Sequence, residues 1–247
     1  MQAKKTLGQN FLSNPAIADT ILTAGRVKSG DNILEVGPGM GFLTSALIKA
    51  GAIVTAVEKD DRLISPLKVK FPQITLIHGD ILTYTHSGDY KIIANIPYYI
   101  TGEFFRRFLQ ETAQPSLMII MVQKEVAERI AQDEKESILS LSVKIFGTPQ
   151  YVETIKAENF DPVPKVDSAI LAIYDIKQPA DIDLKRFFEI IHAGFAHKRK
   201  VLIKNLEKIA TKQALEKVWT DLSLNPKIRA EDIHIDTWKK IAQILNS

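Results

Sequence analysis

Asn95, Pro97 and Tyr98 stand at the end of an apolar run, in the stretch Asn-Ile-Pro-Tyr-Tyr-Ile, and their groups could orient a weakly nucleophilic amine. The exocyclic amine of adenine is such a group, because its lone pair is delocalised into the ring. The Asn95 side-chain oxygen and the Pro97 carbonyl are two acceptors that could hold both N–H groups and aim the lone pair at an electrophile. The Tyr98 ring could stack on the base. Taken alone, the tetrapeptide is explained more simply as a strand-ending turn with packed tyrosines.

A glycine-rich turn upstream offers a place for an electrophilic cofactor. Residues 33–44, Ile-Leu-Glu-Val-Gly-Pro-Gly-Met-Gly-Phe-Leu-Thr, predict a strand, a tight turn and the start of a helix. In an open α/β sheet, ligands bind beyond the carboxyl ends of the strands, where glycines let the backbone approach them closely. Gly37, Gly39 and Gly41 are therefore predicted to contact a cofactor. The alternative is that they are ordinary turn glycines.

Two acidic residues follow the next two predicted strands. Glu58 ends the second strand, 21 residues after Gly37, where a carboxylate can accept both hydroxyls of an adenosine ribose. Asp80 ends the third strand in the triplet His-Gly-Asp, where it could meet an adenine amine. The alternative is that both are solvated surface acids.

The glycine spacing decides between two cofactors that fit an acid at the second strand, NAD and S-adenosylmethionine. Gly-Pro-Gly-Met-Gly is G-x-G-x-G, and not the G-x-G-x-x-G that sets a pyrophosphate on a helix N-terminus. Glu35, just before the turn, would also repel a diphosphate, whereas a cationic sulfonium is favoured beside acids. The sequence therefore predicts S-adenosylmethionine.

Apolar runs and helical patterns alternate along the first part of the chain, which predicts a doubly wound, mainly parallel sheet with antiparallel strands at its end. The fold class is thus α/β, a Rossmann-like sheet followed by a small helical domain. The predicted strands are 32–36, 53–58, 74–78, 91–94, 117–122, 151–155 and 168–176. The predicted helices are 14–27, 42–50, 59–70, 101–110 and 124–132, and the chain after the stretch at 177–181 reads as helical to its end.

Composition excludes several kinds of site. The chain has 247 residues, 45% hydrophobic and 25% charged, which suits one large domain or a main domain with an appendage. It has no cysteine, which excludes disulfides, thiolate metal sites and cysteine nucleophiles, and its five histidines show no metal-ligand spacing. No segment reads as a signal peptide or a membrane span, so a cytoplasmic protein that needs no metal is expected.

Charge is divided unevenly along the chain. Residues 1–179 carry 19 Lys and Arg against 20 Asp and Glu, while residues 180–247 carry 13 against 9. We therefore predict a catalytic domain over 1–179 and a helical, polyanion-facing domain over 180–247. The basic residues Lys198, Arg199, Lys200 and Lys204 are candidates for phosphate contacts, although such a run is often only a solvated helix face.

Several motifs in one order resemble a known family. They are "LGQNFL" (7–12), "EVGPGMGFLT" (35–44), Glu58, "GD" (79–80), "NIPYYIT" (95–101), "MVQKEVAERI" (121–130) and "FDPVPKVDSAIL" (160–171). Together they resemble the KsgA/RsmA-type rRNA adenine N6,N6-dimethyltransferases, which are related to the Erm methyltransferases of large-subunit rRNA. Tyr99 stands where the bacterial enzymes often have Asn.

The resemblance implies an enzyme that dimethylates N6 of two adjacent adenosines near the 3′ end of small-subunit (16S) rRNA. It implies donor contacts at Asn10, Leu12, Gly37, Glu58, Asp80 and Asn95. It also implies that Phe160 stacks on the adenine face opposite Tyr98, and that a monomer acts on rRNA within a pre-ribosomal particle, away from membranes. The segment "PVPKVDSA" favours this activity over an Erm-type one. The other rival is a ribosome-assembly binding factor in which catalysis is secondary.

Overall fold

The computed structural model describes residues 9–111 and 113–246, so Leu7 and Gly8 of the first motif lie outside the described residues. Strands in the described part are β1 (Phe11–Leu12), β2 (Asn32–Val36), β3 (Ile53–Glu58), β4 (Thr75–His78), β5 (Lys91–Asn95), β6 (Leu117–Gln123), β7 (Thr148–Ile155), β8 (Phe160–Asp161) and β9 (Ser168–Tyr174). Its α-helices are α1 (Pro15–Ala24), α2 (Phe42–Lys49), α3 (Asp61–Lys70), α4 (Thr101–Arg106), α5 (Lys124–Ala131), α6 (Ile138–Lys144), α7 (Leu184–Gly194), α8 (Leu202–Leu206), α9 (Lys212–Asp221) and α10 (Ile235–Asn246).

Seven strands form one sheet in the order β4-β3-β2-β5-β6-β9-β7, and β1 pairs separately with β8. The pairs from β4 to β6 are parallel, whereas β9 runs antiparallel to β6 and β7. The chain moves outward from β2 to β4 and then returns to β5 on the other side of β2. The strand order therefore reverses between β2 and β5, which is where open α/β sheets bind ligands. The predicted fold class is confirmed.

The sheet is buried on both faces, as its apolar strands require. In β5, Ile92 and Ala94 face a cluster with α4, α5 and α6, while Ile93 faces a second cluster with α1 and α2. Successive side chains of a strand point to opposite faces, so this alternation follows from the extended backbone.

Two helices differ from the sequence-based expectation. The Asn14 side chain caps α1 by accepting from the Ala16 N–H at 3.1 Å, but α1 ends at Ala24 rather than near Val27. It ends there because Arg26 adopts a positive φ of 46°, which a continuing helix cannot contain. Helix α6 was not predicted, since Leu-Ser-Leu-Ser-Val alternates like a strand, and the helix begins with a reciprocal cap between Ser137 and Ser140.

Helices α7 to α10 form the C-terminal part of the fold. Phe187 and Trp238, from this part, belong to the same buried cluster as the α4 to α6 face of the sheet. The Glu136 N–H donates to the Glu231 carbonyl at 2.7 Å, which joins the two parts of the chain. The domain boundary near residue 179 stays a prediction. No helix in the described ranges is long and apolar enough to cross a membrane.

Candidate active site

A cavity of about 230 Å³ opens at the carboxyl ends of β2, β3, β4 and β5. Nearly all of the sequence-predicted cofactor and catalytic residues lie on its wall: Asn10, Leu12, Gly37, Gly39, Glu58, Asp80, Asn95, Pro97 and Tyr98. Gly41 and Phe160, two further predicted site residues, are not on that wall. The cavity lies at the strand-order reversal, so the topology brings these residues together from the ends of four strands, β2 to β5, and from the N-terminal segment.

Glycine is required in the turn after β2 for two different reasons. Gly37, Gly39 and Gly41 all have positive φ, at 64°, 58° and 79°. A Cβ on Gly37 would meet no atom nearer than the Asn95 carbonyl oxygen at 3.7 Å, so a side chain there would take up cavity space. A Cβ on Gly41 would lie 2.1 Å from the Phe71 ring. Gly41 thus serves helix packing in this structure, and its predicted cofactor contact stays a prediction.

Glu58 is a buried carboxylate at the end of β3, 5% exposed. One of its oxygens accepts from the Gly39 N–H at 3.2 Å and the other from the Asp60 N–H at 2.8 Å. Burial raises the pKa of Glu58, and these backbone donors oppose the rise. Each carboxylate oxygen keeps a further lone pair for a ligand hydroxyl, so Glu58 can fix the glycine turn and bind ribose together.

Glu35, which the sequence analysis placed beside the cofactor without naming a contact, is a buried residue of the cavity wall. It is 1% exposed, its Oε2 accepts from the Thr44 hydroxyl at 2.7 Å, and its Oε1 has no hydrogen-bond partner among the described residues. Burial raises its pKa to about 7, with a smaller contribution from the charge of Glu58. A buried acceptor without a partner in a cavity wall suits a ligand N–H or a cation.

Asp80 lies at the end of β4 and is held by two groups. Its Oδ2 accepts from the Lys59 ammonium at 2.7 Å and its Oδ1 from the Leu82 N–H at 3.0 Å. Burial works to raise the pKa of Asp80, but the Lys59 and Leu82 hydrogen bonds outweigh it and the pKa is lowered. Asp80 is thus an ionised acceptor, and Lys59 is a site residue that the sequence analysis missed.

Asn95 is the last residue of β5, and its side-chain amide nitrogen and oxygen have different surroundings. The Nδ2 donates to the Asn10 carbonyl at 3.0 Å, which fixes the orientation of the amide, and the Oδ1 makes no hydrogen bond within the described residues. The Pro97 carbonyl accepts from the Ile100 N–H at 3.1 Å and keeps a second lone pair. Both acceptors expected from the sequence are therefore present on the cavity wall.

Tyr98 follows on a 3-10 turn and is partly buried. Its hydroxyl lies 2.6 Å from the Oγ of Ser168, the first residue of β9. Burial raises the pKa of the Tyr98 hydroxyl, so the ring is a neutral phenol. Ser168 lies 70 residues away along the chain, and its role as the anchor of Tyr98 was not visible in the sequence.

The N-terminal arm, Gln9–Leu12, lies against the cavity. The Gln9 amide donates to Asp60 at 2.9 Å, and the hydrogen-bond partners of the Asn10 amide direct its nitrogen to the Pro162 carbonyl at 3.0 Å. The Phe11 ring covers Gly39, since a Cβ added to Gly39 would lie 2.9 Å from it. The arm therefore joins the glycine turn, α3 and the β8 segment.

Phe160, like Gly41, is a predicted site residue that is not on the cavity wall. It lies in β8 opposite Leu12, is 3% exposed and belongs to the buried cluster of the α1 and α2 face. Its stacking on a substrate base stays a prediction and would need the ring to leave this packing.

Three of the four predicted basic residues lie in an exposed loop between α7 and α8, whereas Lys204 lies in α8. Lys198, Arg199 and Lys200 are all exposed, and Lys204 pairs with Glu207 at 2.7 Å. The buried Asn205 amide donates to the Gly194 carbonyl at 2.6 Å and to the His197 carbonyl at 3.2 Å, which holds the ends of this loop. In the described part of the chain, no three His, Asp or Glu side chains are arranged to hold a metal.

The fold and the site define a Rossmann-like methyltransferase that uses S-adenosylmethionine. Four acids, Glu35, Glu58, Asp80 and Glu103, line the cavity against one cation, Lys59, which is neutralised by Asp80. This charge suits a cationic sulfonium and disfavours a diphosphate. Glu58 and Asp80 would hold the adenosine part, while Glu35 would face the cationic part.

Comparisons with known proteins identify the family within this class. The family model described as ribosomal RNA adenine dimethylase matches residues 1–247. The chain belongs to this family.

Individual relatives agree with that assignment. A protein of Dehalococcoides mccartyi named ribosomal RNA small subunit methyltransferase A is 38% identical over 99% of this chain and 89% of its own length. A protein of the same name from Fusobacterium nucleatum is 37% identical over 98% and 97%. The crystal structure of a dimethyladenosine transferase from Plasmodium falciparum is 25% identical with a TM-score of 0.83 over 94% and 95%. The crystal structure of the 23S rRNA methyltransferase ErmE shares the fold, with a TM-score of 0.81 and 24% identity. The match covers 96% of this chain and 100% of the ErmE chain.

Proposed function

We propose that this chain transfers methyl groups from S-adenosylmethionine to N6 of two adjacent adenosines near the 3′ end of small-subunit rRNA. The observation that carries this proposal is the fixed orientation of the Asn95 side-chain amide. Its nitrogen is occupied by the Asn10 carbonyl, so its oxygen is presented as an acceptor beside the Pro97 carbonyl. A pair of acceptors beside an aromatic ring suits an exocyclic amine on a flat base.

The reaction needs no general base at this site. S-adenosylmethionine supplies an electrophilic methyl group on a sulfonium when bound. In the first transfer, the Asn95 oxygen and the Pro97 carbonyl would accept the two N–H groups of adenine N6 and so direct its lone pair towards the donor side of the cavity. In the second transfer, one N–H remains to be accepted. After each transfer, the cationic nitrogen would release its extra proton to water. The Tyr98 ring, anchored through Ser168, would stack on the base. Orientation of the amine and stabilisation of its developing positive charge would lower the activation barrier of methyl transfer.

The C-terminal part would bind the RNA backbone. The exposed Lys198, Arg199 and Lys200 form a loop whose ends are held by Asn205, which suits contact with phosphates. We extend the proposal to a monomer that acts in the cytoplasm on a partly assembled small subunit, where the names of the relatives support the choice of subunit.

Mass spectrometry of rRNA from cells with and without this gene tests the proposal. N6,N6-dimethyladenosine at two adjacent positions near the 3′ end of small-subunit rRNA should be lost without the gene and restored by the wild-type chain. The Asn95→Ala variant is the matched control and should restore little. Loss of dimethyladenosine from large-subunit rRNA instead would identify an Erm-type activity. Unchanged methylation together with defective subunit assembly would identify a binding factor.

A further inference from the structure

Tyr99 is an exposed aromatic ring at the mouth of the cavity. It is 66% exposed, and it is the one aromatic residue among the strongly exposed large hydrophobic residues of the described chain. Its neighbour Tyr98 is partly buried with its hydroxyl held by Ser168, whereas Tyr99 makes no hydrogen bond to the described residues. Packing and hydrogen bonding within the fold therefore do not explain the ring.

The surroundings of Tyr99 suit a nucleic acid strand. Met40, 46% exposed, also lines the cavity mouth and adds a second apolar side chain to its rim. Lys59, on the same wall, has a side chain that is 56% exposed although its ammonium pairs with Asp80 at 2.7 Å. Lys59 and Tyr99 both line this cavity. An exposed aromatic ring and a lysine on the wall of one groove are the combination that binds single strands.

The connectivity of the RNA strand determines what lies against this rim. A base that enters the cavity stays joined through its sugar and phosphates to a nucleotide on each side, and those nucleotides must pass over the rim. We propose that Tyr99 stacks on the nucleobase that flanks the target adenosine, and so helps to select the strand presented to the cavity. This inference rests on the proposed function.

The test uses fluorescence of 2-aminopurine, which stacking quenches. Small-subunit particles are reconstituted with rRNA whose 3′-terminal segment, added by splinted ligation, carries 2-aminopurine at one flank of the target or at the other. Wild-type chain should quench the probe at one flank. Tyr99→Ala and Tyr99→Asn should abolish that quenching, while Tyr99→Phe, which keeps the ring, should retain it.

Kinetics give a second readout. Loss of an exposed stacking ring should raise KM for the particle about fivefold to tenfold, near the low end of base stacking on aromatic rings, with kcat nearly unchanged. Ile53→Ala is the matched control, because Ile53 is 60% exposed at the opposite end of β3 from the cavity, and it should change neither quenching nor KM.

The outcomes separate this inference from the proposed function. A wild-type chain that methylates the particle, together with a Tyr99→Ala variant that still quenches the flanking probe, would overturn the stacking role alone. A wild-type chain that methylates no adenosine would overturn the proposed function and this inference with it. A Tyr99→Phe variant that behaves like Tyr99→Ala would also overturn it, because the hydroxyl rather than the ring would matter.

Discussion

The Tyr98 hydroxyl and the Ser168 Oγ lie 2.6 Å apart, and this contact ties the substrate side of the cavity to the first residue of β9. Ser168 is fully buried. Tyr98→Phe keeps the ring but leaves the buried Ser168 hydroxyl without a hydrogen-bond partner. It should therefore lower the free energy of unfolding by about 1–3 kcal/mol. Adding Ser168→Ala removes both partners and should restore most of the loss, which urea denaturation of the two variants measures.

Activity of the same variants separates the ring from the hydroxyl. Tyr98→Ala should slow single-turnover methyl transfer because stacking of about 1–3 kcal/mol is lost, while Tyr98→Phe should be slowed less. Equal inactivity of the two variants would contradict the stacking role.

Asn95 should tolerate neither loss of its oxygen nor loss of its nitrogen. Asn95→Ala removes one preorganised acceptor and should slow transfer from a saturated enzyme by about 10²–10³. Asn95→Asp sets an acceptor against the Asn10 carbonyl, now 3.0 Å from Nδ2, and should slow transfer at least as much. Particle affinity should hardly change, since phosphate contacts dominate it. If Asn95→Ala transferred methyl groups at the wild-type rate, residues 95–100 would have no catalytic role and would only end the strand.

Glu58 should govern donor affinity through the ribose hydroxyls. Glu58→Gln keeps one acceptor oxygen for the turn and should weaken donor binding by roughly 1.5–3 kcal/mol. Calorimetry should find equal losses for S-adenosylmethionine and S-adenosylhomocysteine, because both carry the ribose. A loss confined to the cationic donor would contradict the ribose role.

Glu35 should make stability depend on pH. Its folded pKa of about 7 is raised from 4.5, so the folded state binds the proton more tightly than the unfolded state does. Stability is therefore lost as pH rises from about 4.5 through 7, by roughly 3 kcal/mol in all. Glu35→Gln stays neutral, so its advantage over the wild type should grow between pH 5 and 8 in urea denaturation. A pH-independent difference would contradict the buried carboxyl.

The loop between α7 and α8 should set the salt dependence of RNA binding. Replacing Lys198, Arg199 and Lys200 with Ala should reduce the log–log salt slope by about 0.7–0.9 for each lost phosphate contact, with donor affinity unchanged. Lys204→Ala is the comparison, because Lys204 already pairs with Glu207 and should contribute less. An unaltered slope in the triple variant would make this loop a solvated surface.

Sequence reasoning found the sheet and most of the site because both are local signals. Glu58, Asp80 and Asn95 each follow an apolar strand, and parallel strands bring such ends to one edge. Contacts across the fold left no such signal. The Ser168 anchor of Tyr98 and the Lys59 partner of Asp80 depend on which chain segments meet. Gly41 shows the same limit, because its need for glycine comes from the Phe71 ring.

The N-terminal arm, which lines the cavity, makes very few main-chain hydrogen bonds to the neighbouring strand. Strands β1 and β8 match only Phe11 with Asp161 and Leu12 with Phe160, followed by the Ser13 N–H to the Asn159 carbonyl at 3.1 Å. A two-stranded ribbon of this size is marginal by itself, whereas Ile93 in β5 is paired on both sides. The Ser13 amide proton should therefore exchange with solvent through a local opening that costs less than global unfolding, while that of Ile93 requires the sheet to come apart. The N-terminal side of the cavity should thus open more readily than the side formed by β5.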